Sequence, residues 1–123
     1  MVVGFEADHA ALLDRIAAHL DEGYGRVKVK IRPGWDREPL TAIRDRFPDL
    51  PLQVDANGAY AATEMRTVRS LDDFDLEMVE QPFPAYDLAS HARLVRVART
   101  PVCLDESITS EAAARRALSI AAC

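Results

Sequence analysis

Along this chain the apolar residues switch repeatedly between the period of a strand and that of a helix, and this alternation constrains the fold more than any other feature. Val2 to Phe5 is strand-like. Asp8 then caps a helical pattern in which Leu12, Leu13, Ile16, Ala17 and Leu20 recur at three and four residues, ending at Gly23. Val27 to Ile31 is strand-like again. Pro33 and Gly34 turn the chain before a helix from about Arg37 to Phe47, with Leu40, Ile43 and Phe47 on one face. Pro48 and Pro51 bracket the next connection. The alternation continues with a strand from Leu52 to Asp55, a helix from Thr63 to Leu71 and a strand from Leu76 to Glu80. A helix from about Leu88 to Arg99 and a strand from Val102 to Asp105 follow.

Five βα units of this kind predict an α/β fold with a parallel sheet and right-handed crossovers. Two architectures fit the count: a doubly wound five-stranded domain, or five of the eight units of a (β/α)8 TIM barrel. With 123 residues the chain is one domain's worth, and 15 basic against 20 acidic side chains give a net charge of −5. No basic stripe exists to neutralise phosphates, which argues against nucleic acid or an anionic membrane as partner. No run of about 18 apolar residues exists either. The start has neither a basic segment nor a long apolar stretch, so the expected compartment is the cytoplasm. Cys103 and Cys123 have no CxxC spacing and are expected as reduced, part-buried thiols. The apolar run from Ala117 to Cys123 carries no helix stop and reads as a place where the chain is cut.

Charged residues inside the strands point to chemistry. Strand parity puts Val27, Val29 and Ile31 on one face and Lys28 and Lys30 together on the other. Either this is an edge strand with one solvated face, or two ammonium groups share a site, each making its neighbour harder to charge; a lysine depressed in this way is a candidate base. On the third strand Gln53, Asp55 and Asn57 share a side, and the fourth and fifth strands end in Glu80 and Asp105. Asp55, Glu80 and Asp105 are spaced by 25 residues and again by 25. One βα period is expected to carry each to the same level on the next strand. Singly, an acid at a strand end can be a helix cap or turn residue. Three converging carboxylates would repel one another strongly, and a divalent cation resolves the conflict. Hard oxygen donors suit Mg2+ better than zinc. No histidine competes, since His9, His19 and His91 fall in or beside helices and read as surface or packing residues.

The strings Lys28-Val29-Lys30-Ile31-Arg32-Pro33-Gly34-Trp35-Asp36, Val54-Asp55-Ala56-Asn57, Val79-Glu80-Gln81-Pro82-Phe83 and Cys103-Leu104-Asp105-Glu106-Ser107 resemble the enolase superfamily. They are most similar to its o-succinylbenzoate synthase and N-acylamino acid racemase branch. The resemblance runs in order over essentially the whole chain. It implies a partial (β/α)8 barrel, about the first five βα units, rather than a doubly wound sheet. It also implies that the N-terminal capping domain and the last barrel strands lie outside residues 1 to 123. Asp55, Glu80 and Asp105 would be ligands of Mg2+, with Mn2+ as the alternative metal. Lys30 would remove a proton α to a substrate carboxylate, Lys28 would lower its pKa, and Asn57 and Glu106 would orient the ligands. The family's second essential lysine belongs to the sixth barrel strand, beyond the last helix here.

Four functions are weighed. The first is a lyase that dehydrates a cyclohexadiene carboxylate to o-succinylbenzoate in menaquinone synthesis. The second is an N-acylamino acid racemase, which shares every motif above. In both the partner is a small-molecule carboxylate and the complete protein is expected to be a homo-oligomer. The third, a phosphoacceptor receiver domain, fits Asp55 but requires paired acids ending the first strand and a lysine ending the fifth, and neither is present. The fourth is a non-catalytic fragment. Trp35, in the loop after the lysine strand, reads either as packing or as a wall of the site. Cys103 shares parity with Asp105 and is expected in a core layer.

Overall fold

The computed structural model describes all residues, 1–123. Its secondary structure alternates as the periodicity predicts. Strand β1 (Val2–Val3) leads to helix α1 (His9–Asp21), β2 (Val27–Lys30) to α2 (Arg37–Arg46), and β3 (Leu52–Asp55) to α3 (Met65–Arg69). Then β4 (Met78–Glu80) leads to α4 (Leu88–Val95), and β5 (Val102–Cys103) to α5 (Glu111–Ser119). The five strands form one parallel sheet in sequence order, β1-β2-β3-β4-β5. A doubly wound sheet reverses its strand order around the first strand, whereas sequential order is that of a barrel segment. Both end strands are open edges.

Period-two alternation sorts the strand residues between two faces. Val27, Val29, Leu52, Val54, Val79 and Val102 are buried in one cluster with Leu12 and Ile16 of α1, Leu40 and Ile43 of α2, Val68 of α3 and Leu94 of α4. The helices thus cover that face. Burying a side chain of this kind stabilises by roughly 1.5 to 3 kcal/mol. The other face carries Lys28, Lys30, Gln53, Asp55, Met78, Glu80 and Cys103.

Side-chain caps start three of the helices, the first at Asp8 as the sequence places it. Asp8 Oδ1 accepts the Ala11 amide at 2.8 Å, Asp87 Oδ1 that of Ser90 at 3.0 Å and Ser110 Oγ that of Ala113 at 3.1 Å. β1 ends at Val3 rather than Phe5 and β4 begins at Met78 rather than Leu76, and three further elements also fall short of their expected lengths. The helix expected from Thr63 to Leu71 is α3 with 3-10 turns at Ala62–Glu64 and Ser70–Phe74, because Ser70 Oγ bonds the Thr67 carbonyl at 2.7 Å and tightens the turn. Helix α4 stops at Val95 rather than Arg99. The Asp72 carboxylate accepts the amides of Arg99 and Thr100, at 3.0 and 2.8 Å, and draws the chain off the helix toward β5. β5 stops at Cys103, which matters for the site below. No helix is long and apolar enough to cross a membrane.

Candidate active site

The register places three of the expected residues side by side. Lys30 pairs with Asp55 and Asp55 with Glu80, so these three stand at one level on adjacent strands at the sheet's C-terminal end. Asp55 is 4% exposed and Glu80 9%. Carboxylates this buried must be paired. Lys28 does the pairing, its Nζ donating to both Glu80 oxygens at 2.8 and 2.9 Å and standing 3.7 Å from Asp55 Oδ2. Lys30 Nζ lies 3.6 Å from Asp55 Oδ2 and donates to Asn57 Oδ1.

Asn57 is the hinge of the arrangement. Its backbone N–H donates to Asp55 Oδ1 at 3.0 Å and its Nδ2 to Glu106 Oε1 at 2.8 Å, so one side chain touches the lysine and reaches the acid beyond β5. It holds a positive φ of 44°, and Gly58 beside it one of 73°. A Cβ on Gly58 would meet the Phe83 carbonyl oxygen and Pro84 Cα at 3.2 Å, so the loops after β3 and β4 close on each other only around a glycine.

Two expectations need correction. The equal spacing predicts Asp105 at the level of Glu80, but Glu80 pairs with Cys103. Asp105 therefore lies two residues past that level, exposed, on the loop where β5 has already left the sheet. No three His, Cys, Asp or Glu side chains stand close enough together to hold a metal. Cys103 is half-buried, and burial pushes its thiol up. The second correction concerns Lys28, which was expected to share a mutual depression with Lys30. Burial pulls its ammonium down, but the Glu80 hydrogen bond and the charges of Glu80, Asp55 and Asp105 outweigh that and hold it above the ordinary lysine value.

Sequence reasoning missed Gln81 and undervalued His91. Both are fully buried, with Gln81 Nε2 3.3 Å from His91 Nε2. The available signal was the glutamine between the end of a strand and Pro82. Trp35 packs against the core and its ring lies 5.0 Å from that of His9, with Nε1 buried and unpaired.

The donor set of Asp55, Glu80 and Asp105 is all oxygen, which suits a hard cation. Two of its members already flank a single point of positive charge, the Lys28 ammonium. In chemistry the residues fit Mg2+; in position, Asp105 is the one not yet gathered.

A sequential parallel sheet with lysines and carboxylates level at its C-terminal end has a match among known families. Residues 11–123 match the family described as Enolase C-terminal domain-like. The chain belongs to this enolase family. Among curated relatives, it is 46% identical over 121 residues to an o-succinylbenzoate synthase of Geobacillus kaustophilus, covering 98% of this chain and 32% of that protein. It is 50% identical over 112 residues to an N-succinylamino acid racemase of Amycolatopsis sp, covering 90% and 30%. In three dimensions it superposes on an unknown member of the enolase superfamily from Enterococcus faecalis V583 with a TM-score of 0.93 and 44% identity, over 99% of this chain and 33% of that one. An L-talarate dehydratase from Polaromonas sp. JS666, complexed with Mg and L-glucarate, gives 0.88 and 30%, over 97% and 35%. The chain spans about a third of the length of the enolase-family relatives it matches.

Proposed function

We propose that residues 1 to 123 are the first five βα units of an enolase-superfamily barrel, with the capping domain and the remaining barrel strands outside them. The complete enzyme removes a proton α to a carboxylate, and we assign it as an o-succinylbenzoate synthase acting in the cytoplasm in menaquinone synthesis. One observation carries the reading: two lysines on β2 meet two buried carboxylates, level on β3 and β4, at the end of the sheet.

A proton α to a carboxylate is barely acidic, so the base must be placed against it and the developing anion stabilised. Lys30, in its unprotonated form, takes the α proton onto Nζ; Asn57 Oδ1 aims that nitrogen. In the dehydration the α C–H bond breaks, its electrons form the new double bond, and the β hydroxyl leaves as water with the proton that Lys30 Nζ has taken up. Lys28 keeps Glu80 and Asp55 compensated. Mg2+ held by Asp55, Glu80 and Asp105 would supply positive charge where the substrate carboxylate becomes more anionic. Asn57 and Glu106 tie the loops beyond β3 and β5 together.

The 50% identity to a racemase supports a second reading, in which Lys30 and a lysine outside this chain work on opposite faces of an N-acylamino acid. Assays in deuterated water separate the readings. A synthase forms o-succinylbenzoate from the cyclohexadiene carboxylate and leaves N-succinylamino acids unlabelled. A racemase incorporates solvent deuterium at their α carbon. In either case Lys30→Ala abolishes the reaction, and neither product from the complete enzyme would leave only the non-catalytic reading.

A further inference from the structure

Directly after Glu80 stands a polar side chain that the chemistry above does not use. Gln81 is 0% exposed, and its backbone sits at a φ of +37°, a conformation that disfavours residues with side chains. A buried amide is tolerated only when its polar atoms are paired. Here every one is. Oε1 accepts the backbone N–H of Asp105 at 2.9 Å and of Ser107 at 3.1 Å. Nε2 donates to the Phe83 carbonyl at 3.0 Å and to Ser107 Oγ at 2.8 Å, and Ser107 Oγ passes its own hydrogen to the Ala85 carbonyl at 2.9 Å. His91, also 0% exposed, closes the cluster: Nδ1 donates to the Asp87 carbonyl at 2.8 Å and Nε2 accepts the Phe83 N–H at 3.3 Å.

The main chain of Gln81 extends the same linkage. Its N–H donates to the Cys103 carbonyl at 2.9 Å and its carbonyl accepts the Gly58 N–H at 2.7 Å. One residue is therefore bonded to the loops that follow β3, β4 and β5. Asp55 and Glu80 are held at the site by strand register. Asp105 is not, because β5 ends at Cys103 and the Asp105 amide bonds to Gln81 instead of a neighbouring strand.

We propose that Gln81 is the positioning residue that holds Asp105 toward Asp55 and Glu80, with Ser107 and the Phe83 carbonyl fixing the orientation of its amide and His91 bracing Phe83. The consequence for metal binding rests on the Mg2+ reading above; the consequence for the backbone does not.

Amide hydrogen exchange followed by NMR on this chain tests the backbone part. In Gln81→Leu the Asp105 and Ser107 amides should exchange about tenfold faster, the loss of one hydrogen bond each, while the Val29 and Val54 amides inside the sheet keep their protection. Should that variant fail to fold, Ser107→Ala removes a single acceptor of the Gln81 amide and should give a smaller, roughly threefold, acceleration at Asp105. Calorimetric titration with Mg2+ tests the functional part: affinity should fall about tenfold in Gln81→Leu and stay unchanged in Ile43→Val, a core variant remote from the site. Asp105 exchange that matches the wild type in both variants overturns the proposal. A wild-type chain that binds no Mg2+, with Asp105 exchange still accelerated by Gln81→Leu, overturns the metal reading and supports the role of Gln81.

Discussion

Replacing Lys28 by Met removes the ammonium that stands between Glu80 and Asp55 while keeping an unbranched chain of similar length. Two buried carboxylates are then left facing each other. They are register partners on adjacent strands, roughly 5 Å apart, and at an effective dielectric of about 20 two unit charges at that separation repel by about 3 kcal/mol. Lys28→Met should therefore destabilise the chain by about 3 kcal/mol, which at an m-value of about 2 kcal/mol per molar moves the urea midpoint down by about 1.5 M. If the carboxylates converge on a cation site, Mg2+ at a hundred times its dissociation constant should restore about 2.7 kcal/mol, nearly the whole loss. Urea unfolding with EDTA and with saturating Mg2+ measures both quantities. A midpoint within about 0.3 M of the wild type in EDTA would show that the two charges are not crowded, and equal Mg2+ stabilisation of variant and wild type would refute their sharing a cation with Lys28.

Gly58→Ala should cost about 1 to 2 kcal/mol in urea unfolding, since it forces a side chain to φ 73° and against the Phe83 carbonyl. Burial pushes the Asp72 carboxyl up, but the amide hydrogen bonds from Arg99 and Thr100 outweigh it and hold it below the usual value of 3.8. Its contribution to stability is then complete above that value and lost as pH falls through the lower folded one, so Asp72→Asn should flatten the stability curve below about pH 4. His91 acts with the same sign at higher pH: burial pulls its pKa below 6.5, so the unfolded chain takes up the proton first and stability falls as pH drops under about 6.5. His91→Leu should remove that slope while lowering stability at pH 8, and a wild-type curve flat between pH 7 and 5 would contradict the neutral, buried ring.

The chain order of strands and helices was legible because apolar period alone separates them, and the cap at Asp8 was a single residue whose chemistry is local; the caps at Asp87 and Ser110 emerge only from the structure. The level pairing of Asp55 with Glu80 was legible for the same reason: a constant βα period carried a side chain to its neighbour's height. That arithmetic failed at Asp105 because strand length is set by tertiary contacts. Asp72, from the connection before β4, ends α4 early, and β5 closes after Cys103. The raised pKa of Lys28 was invisible for a related reason. Two lysines on one face imply mutual repulsion, and only the register reveals the carboxylates that Lys28 meets. Gln81 was illegible as a positioning group because its partners, Ser107 and the Asp105 amide, lie 26 and 24 residues away on another loop.

We propose that Asp55, Glu80 and Asp105 bind one divalent cation at the end of the sheet. Titration of the isotope-labelled chain with Mn2+, whose unpaired electrons broaden nearby amide signals, locates that cation without any substrate. The amides of Asp55, Glu80, Asp105 and Asn57 should broaden first and together, and Glu80→Gln should abolish the effect. Broadening confined to the acidic surface around Asp72, Asp73 and Asp75, unchanged by Glu80→Gln, would contradict it.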